Sequence, residues 1–311
     1  MYDQIASNRR RSAVLTLVFI IIVGLVGWAF AQVVGFGPWG IAFAIVFSIG
    51  SSFLAYWTSD KIALAMSHAR LAEQTEYARL HNLVEGLCIA SGLPKPRLYV
   101  IEDDAPNAFA TGRNPKNAAI AVTTGLLAKM DRVELEAVLA HELGHVKNYD
   151  ILVSTLAVTM VGVVTLLADF GMRFLYWGGP RHRNDRNSDN SGGIMAVFAI
   201  LGFVLLLVSP LIAKLMQFAI SRNREELADV TGVTMTRYPP GLIRALEKLR
   251  DDQTVVHSSS RATAHLWIES PIGLNAGEML HRGEGNRTAW LNRLFSTHPP
   301  IEDRIAALRE L

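Results

Sequence analysis

The sequence predicts an α-helical membrane protein with four transmembrane helices and a cytoplasmic, mainly helical α+β domain that contains a small sheet. Half of the 311 residues are hydrophobic and only 19% are charged, whereas soluble domains average about 25% charged residues. Residues 12–59 contain no charged side chain. Short β-rich segments occur between residues 97 and 123, with helical patterns on both sides.

The uncharged segment 12–59 is long enough for two membrane crossings, since ~20 apolar residues span the hydrocarbon core. A turn with glycine and proline at 35–38 divides it. The segment therefore predicts a first transmembrane hairpin with helices at 12–34 and 38–57.

Two more apolar segments, 151–168 and 191–213, predict a second hairpin. The hairpins divide the chain into four parts. These are the hairpin 12–57, the helix, sheet and helix of 58–150, the hairpin 151–213 and the helical region 214–311.

Basic residues predict the orientation of these hairpins. Arg9, Arg10 and Arg11 precede the first span, and loops rich in Arg and Lys stay in the cytoplasm. The N-terminus and both soluble parts are therefore predicted to be cytoplasmic. The net charge of +2 is too small to indicate a nucleic-acid partner. Cys88 is the only cysteine, so an internal disulfide is excluded.

The soluble parts alternate between two periodicities. Apolar spacing of three and four residues predicts a helix over 60–90, which Gly92 and Pro94 end. Asp131 followed by Glu134 predicts the capped start of a helix over 131–149. The remaining predicted elements are strands at 97–101, 108–111 and 118–123, helices at 211–235, 241–250 and 300–311, and a polar loop at 251–292.

The strongest chemical signal lies in the helix predicted over 131–149. Residues 141–145 read His-Glu-Leu-Gly-His and match the pattern H-E-x-x-H. Positions i and i+4 share one helix face, so His141 and His145 can bind one Zn²⁺. Glu142 can take a proton from a zinc-activated water during attack on a carbonyl and pass it to the leaving amine.

A catalytic zinc needs a third protein ligand and one open position. No histidine follows at the H-E-x-x-H-x-x-G-x-x-H spacing, which favours a distant carboxylate. Glu225 and Asp229 are four residues apart, so one can bind metal while the other orients a ligand histidine. A solvated charged helix explains the same residues from their pattern alone.

Several motifs together resemble the HtpX family of bacterial inner-membrane zinc metalloproteases, which are related to CAAX prenyl proteases. They are HELGH followed by VKNYD, SRNREELAD after the fourth span, and STHPP with IEDR near the end. The resemblance covers nearly the whole chain. It implies a zincin-like domain with one zinc held by His141, His145 and Glu225. It also implies Glu142 as general base and Asp229 as the residue that orients a ligand histidine.

The resemblance further implies a substrate-binding edge strand beside the metal. Its residues are Asn107, Ala108, Phe109, Ala110 and Thr111. It makes His298 a candidate to stabilise the oxyanion and Arg304 a substrate-binding or positioning residue. Related sequences carry an aromatic residue after the ligand glutamate, whereas Glu226 stands here. This leaves Glu225 and Glu226 as alternatives, of which the spacing to Asp229 favours Glu225.

These predictions combine into a zinc endopeptidase of the bacterial inner membrane. It would cut misfolded or damaged membrane proteins and serve quality control under stress, with proteins and the lipid bilayer as partners. His145 lies about 9 Å from the third span if the chain is helical, so the site is predicted just above the cytoplasmic membrane surface. One alternative is a CAAX-type prenyl protease, disfavoured because four spans enclose little space. The other is an inactive zinc-containing membrane adaptor, disfavoured because Glu142 is present.

Overall fold

The computed structural model describes residues 37–156, 222–254, 256, 266–268 and 300–311, with scattered helical residues between 6 and 28. The helices are α1 (Gly37–Met66), α2 (Ala78–Ser91), α3 (Thr124–Lys129), α4 (Arg132–Lys147), α5 (Arg222–Thr236), α6 (Pro239–Asp251) and α7 (Ile301–Leu308). The strands are β1 (Arg70–Leu71), β2 (Arg97–Ile101), β3 (Ala108–Gly112) and β4 (Ala118–Thr123). Residues 150–156 are also helical.

The four strands form one sheet in the order β1-β2-β4-β3. Strand β4 pairs parallel to β2 and antiparallel to β3, with Phe109 opposite Ala121. Among the residues that the structure describes, strand β3 is therefore an edge strand, and all its residues are buried. The predicted fold of helices around a small sheet is confirmed for this part of the chain.

The two faces of the sheet enter different hydrophobic clusters. Ala108, Ile120 and Val122 face the main core, which also contains buried side chains of α2, α4, α6 and α7. Phe109 and Ala121 face the other way, into a smaller cluster with α1 and Trp267. Alternation of side chains along each strand explains this division. The main core places α4 directly against the sheet.

The single helix predicted over 60–90 is wrong. Helix α1 ends at Met66 and α2 starts at Ala78, with β1 between them. His68 has a φ of 51°, which turns the chain out of the helix. Strand β1 then pairs with β2. The pairing with a distant strand outweighs the local helical periodicity here, because propensity is a weak prior against tertiary contacts.

The predicted capped start of the next helix is confirmed. The Asp131 side chain accepts from the Glu134 amide at 2.8 Å, and the Glu134 carboxylate accepts from the Asp131 amide at 2.9 Å. This reciprocal capping box satisfies two helix-terminal amides. Lys248 of α6 donates to the same Glu134 carboxylate at 2.6 Å. The start of α4 is thereby tied to α6.

The predicted membrane spans fall largely outside the described residues. The second span lies within α1, whereas residues 157–213, which contain most of the third span and all of the fourth, are not described. Among the residues that the structure describes, no helix combines the length and apolarity that a membrane crossing requires. The four spans are not confirmed.

Candidate metal centre

Helix α4 carries the HELGH motif in its last two turns, in the interior of the protein. His141 is 0% exposed and Glu142 1%. The His145 side chain keeps 16% of its surface exposed. The Nε2 atoms of the two histidines lie 3.2 Å apart. The i,i+4 spacing thus brings both imidazoles to one point, as predicted for a helix.

Helix α5 approaches α4 closely because glycine occupies both contact positions. A Cβ at Gly232 would lie 2.9 Å from the backbone nitrogen of His141, and one at Gly144 would lie 2.9 Å from the Ala228 carbonyl oxygen. Any larger residue at either position would push the helices apart. The close crossing carries Glu225, in the first turn of α5, to the two histidines.

The three donor groups have the spacing of a tetrahedral metal site. His141 Nε2 lies 3.7 Å and His145 Nε2 3.6 Å from the nearest Glu225 carboxylate oxygen. One ligand atom from each of the three residues lies within 4.8 Å of the others. Donors about 2.0–2.1 Å from a tetrahedral zinc lie about 3.4 Å from one another. Two imidazoles and a carboxylate at these distances fit zinc.

His141 is held by a charged pair behind it. Its Nδ1 lies 2.8 Å from Asp229 Oδ1, so the imidazole donates there and keeps Nε2 for a metal. Arg304 of α7 donates to both Asp229 oxygens, from Nε at 2.9 Å and Nη2 at 2.6 Å. Burial would raise the pKa of Asp229, but Arg304 and His141 outweigh burial and hold this pKa below its ordinary value.

His145 has a looser carboxylate partner, Asp150, at 3.3 Å from Nδ1. The Asp150 side chain can approach His145 because Asn148 caps the end of α4 and the chain turns at Tyr149, which has a φ of 60°. Burial lowers the pKa of His145, but the negative charges of Glu225, Asp150 and Glu142 raise it to about 9. Sequence reasoning missed Asp150 as a partner. The signal for it was a carboxylate about one turn beyond the second histidine of the motif.

The other predicted site residues are placed as follows. Glu226 is exposed, whereas Glu225 is 5% exposed and faces the histidines. Arg304 is 2% exposed and lies behind His141 as the partner of Asp229. His298 lies outside the described residues. Residues Ala108, Phe109, Ala110 and Thr111 belong to edge strand β3, which Asn107 precedes and which packs against α4.

A buried HExxH helix whose histidines converge on a glutamate of a second helix is the arrangement of a zincin-type metalloprotease. The chain belongs to Peptidase family M48, which matches residues 74–311. It is 41% identical to a protein named Protease HtpX homolog from Thermoanaerobacter pseudethanolicus, over 100% of this chain and 98% of that protein. It is 39% identical to the protein of the same name from Streptococcus thermophilus, over the full length of both.

The resemblance to HtpX proteases is thus confirmed. The fold is also similar to that of S. mikatae Ste24p, whose crystal structure aligns with a TM-score of 0.50 and 19% identity. That alignment covers 99% of this chain and 67% of the other. At this identity the likeness concerns the fold alone.

Proposed function

We propose that the protein is a zinc-dependent endopeptidase whose metal ligands are His141, His145 and Glu225. One observation carries the proposal. Three donor groups from two helices, distant in sequence, converge within 4.8 Å. Zinc bound by these three side chains would retain an open position, as catalytic zinc sites do.

The surrounding residues suit hydrolysis of a peptide bond. Bound zinc supplies a Lewis acid that activates water and polarises a carbonyl. Glu142 follows the first ligand on α4, and its carboxylate is near enough to raise the pKa of His145. We assign Glu142 the role of accepting a proton at its carboxylate and returning it to the leaving amine. Asp229 and Asp150 each hold one imidazole through Nδ1, which fixes the tautomer that leaves Nε2 free for metal.

The substrate is a protein segment, which we propose binds as an added strand on β3. An edge strand next to α4 offers backbone hydrogen bonds with little demand on side chains. The family resemblance implies that the substrate contacts fall within residues 107–111. His298 remains a prediction for oxyanion stabilisation. We infer that Arg304 acts as a positioning residue, because its guanidinium is buried on Asp229.

We further propose that the protein resides in the bacterial inner membrane, with the four parts predicted from the sequence and a cytoplasmic active site. The uncharged segment 12–59 supports this assignment. So do the large apolar side chains of α1 that are exposed to the surroundings, among them Trp39 at 82% and Val46 at 71%. Contiguous exposed apolar surface indicates contact with another apolar phase. Misfolded or damaged membrane proteins are then the nearest substrates, in keeping with a stress-response role.

The test compares the wild type with two variants of α4, Glu142→Gln and Glu136→Gln. Glu136 lies on the same helix but is only partly buried, so it controls for loss of a glutamate. The proteins are purified in detergent without chelator, their zinc is quantified, and each is incubated with casein. We expect one zinc per chain in all three, with cleavage by the wild type and Glu136→Gln only. Chelation should stop the cleavage and added Zn²⁺ should restore it.

Each alternative function has its own outcome in this test. Zinc without cleavage by any variant would support the membrane adaptor. Cleavage of a prenylated C-terminal peptide but not of casein would support a CAAX-type prenyl protease. A wild type that binds no zinc, even when titrated with it, would contradict the assigned ligands.

A further inference from the structure

The backbone groups of β3 alternate between its partner strand and the free edge of the sheet. The Asn107 carbonyl accepts from the Thr123 amide at 3.0 Å. In an antiparallel ladder, successive residues point their backbone groups to opposite sides. Ala108, Ala110 and Gly112 therefore direct their amides and carbonyls to the free edge, where a substrate strand would add.

Two of these three residues already have partners at the free edge. The Ala108 carbonyl accepts from the Ile268 amide at 3.0 Å, and the Ala108 amide donates to the Asn107 side chain at 3.0 Å. The Gly112 amide donates to the Thr155 hydroxyl at 3.1 Å. In the part of the chain that the structure describes, only Ala110 keeps both its outward amide and its outward carbonyl without a partner.

The segment Trp267–Ile268 straddles the edge of β3 as a short added strand would. Trp267 joins the cluster on one face, where its ring meets that of Phe109 edge-on with centroids 4.9 Å apart. Ile268 joins the main core on the other face. Trp267 is 0% exposed and Ile268 is 2% exposed. Successive side chains on opposite faces are typical of a strand, and a fully buried indole holds the segment in place.

We propose that Trp267 and Ile268 form a fixed end of the substrate cleft and that Ala110 is the backbone anchor of the bound substrate. This inference rests on the proposed function, in which a substrate strand adds to β3. The substrate strand pairs with Ala110 and stops before Ala108, because Ile268 already occupies the Ala108 carbonyl. An extended segment of a few residues is therefore enough for binding, and its position relative to the metal is set by the fixed end.

Hydrogen exchange at single backbone amides tests the anchor. The zinc-loaded Glu142→Gln variant is measured with and without a peptide that spans a casein bond cut by the wild type, and binding is followed separately by fluorescence anisotropy. We expect the Ala110 amide to exchange roughly tenfold more slowly when the peptide binds. The Ala108, Gly112 and Ile268 amides should be slow in both states. A bound peptide that leaves Ala110 unchanged, or that makes Ile268 exchange rapidly, would overturn the proposal.

N-methylation of the same peptide, one nitrogen at a time, tests the fixed end. Each methylated peptide is assayed with the wild type, Trp267→Ala and Trp267→Phe. In the described part of the chain the Trp267 indole N–H has no hydrogen-bond partner, so Trp267→Phe keeps an aromatic ring without breaking a bond. We expect Trp267→Ala to release Ile268 from Ala108. In Trp267→Ala, methylation should then raise KM at one more peptide nitrogen than in the wild type, by roughly tenfold.

Trp267→Phe should keep the wild-type pattern. Hydrogen exchange first shows whether the Ile268 amide is released in Trp267→Ala. If it is released and the same peptide nitrogens remain sensitive to methylation as in the wild type, the fixed end is excluded. Should Trp267→Ala fail to fold, the exchange experiment on Ala110 and Ile268 decides alone. Absence of casein cleavage by the zinc-loaded wild type would contradict the proposed function instead, whereas cleavage with no methylation-sensitive nitrogen would contradict this inference only.

Discussion

The two histidines of the candidate centre lie on the same helix but are supported by very different parts of the molecule. His141 is fully buried, and its support comes from α5 and α7 through Asp229 and Arg304. His145 keeps 16% of its side-chain surface, and its partner Asp150 lies only five residues further along the chain at 3.3 Å. The carboxylate partner of His141 thus comes from another helix, whereas the partner of His145 comes from the turn that follows it.

The difference indicates which of the two histidines depends more on the rest of the fold. The Asp229–Arg304 pair forms only when α7, at the end of the chain, docks against α5. A buried charge pair of this kind contributes little net stability, but loss of one partner leaves an uncompensated charge. Asp150 reaches His145 through the turn at Asn148 and Tyr149, and it also pairs with Arg224 of α5 at the longer distance of 3.9 Å. We therefore expect substitutions behind His141 to affect the whole protein and substitutions behind His145 to act locally.

The largest effect should come from Arg304→Ala. It leaves the Asp229 carboxylate buried without its cation, which costs about 3–5 kcal/mol. The free energy of unfolding of the metal-free protein, measured by denaturant titration, should fall by that amount. Arg309→Ala on the same helix is the control, since its pair with Glu247 is largely exposed and contributes at most about 1 kcal/mol. Equal stability of Arg304→Ala and the wild type would remove the distinction between the two histidines.

A smaller effect, on zinc affinity, is expected from substitution of the two carboxylates that face the imidazoles. Asp229→Asn should weaken zinc binding about 10–100-fold, because loss of an oriented hydrogen bond to a ligand histidine has this effect. Asp150→Asn should weaken it less than about tenfold, at the low end of this range, since its contact is longer, at 3.3 Å against 2.8 Å for Asp229. Competition with a chromophoric chelator measures both affinities. The reverse order would show that the local turn, not the buried pair, dominates the site.

The smallest effect concerns protons at His145. Its pKa of about 9 in the metal-free protein means that the imidazole is charged at pH 7–8, whereas metal binding needs it neutral. Zinc uptake at pH 8 should release a proton from His145, and affinity should rise with pH until about 9. Calorimetry in buffers of different ionisation enthalpy counts the protons released. Asp150→Asn should lower the pKa and reduce this count.

The same shift affects stability without metal. A histidine whose pKa is raised in the folded state stabilises the fold fully below its ordinary pKa of about 6.5. That contribution is lost as the pH rises through about 9. Metal-free protein should therefore lose stability across this interval, and a loss of the same size in Asp150→Asn would contradict the role given to Asp150.

The local parts of the site could be predicted from sequence because they depend on helix geometry. The spacing of His141 and His145 and the capping box at Asp131 and Glu134 need only one helix. Glu225 needed the family resemblance in addition, since its approach to the histidines depends on the crossing of two helices. The Glu226 alternative stayed open for the same reason.

The features that sequence reasoning missed depend on tertiary contacts or unusual backbone. The break of the predicted helix 60–90 follows from pairing of β1 with β2, which no local periodicity records. Asp150 reaches His145 through a left-handed residue, Tyr149, that carries no glycine or asparagine signal. The contact of Arg304 with Asp229 joins residues on separate helices, and no local sequence pattern in either helix predicts it.

The glycines at the crossing of α4 and α5 affect the shape of the candidate site in the metal-free protein. Gly144 and Gly232 bring the two helix backbones into direct contact, so the gap between the histidines and Glu225 is set by the position of one helix against the other. A cavity framed in this way does not have to assemble around its ion. The helix crossing alone brings the donor atoms together, and a metal that binds only the folded chain then adds its binding free energy to the stability of the fold.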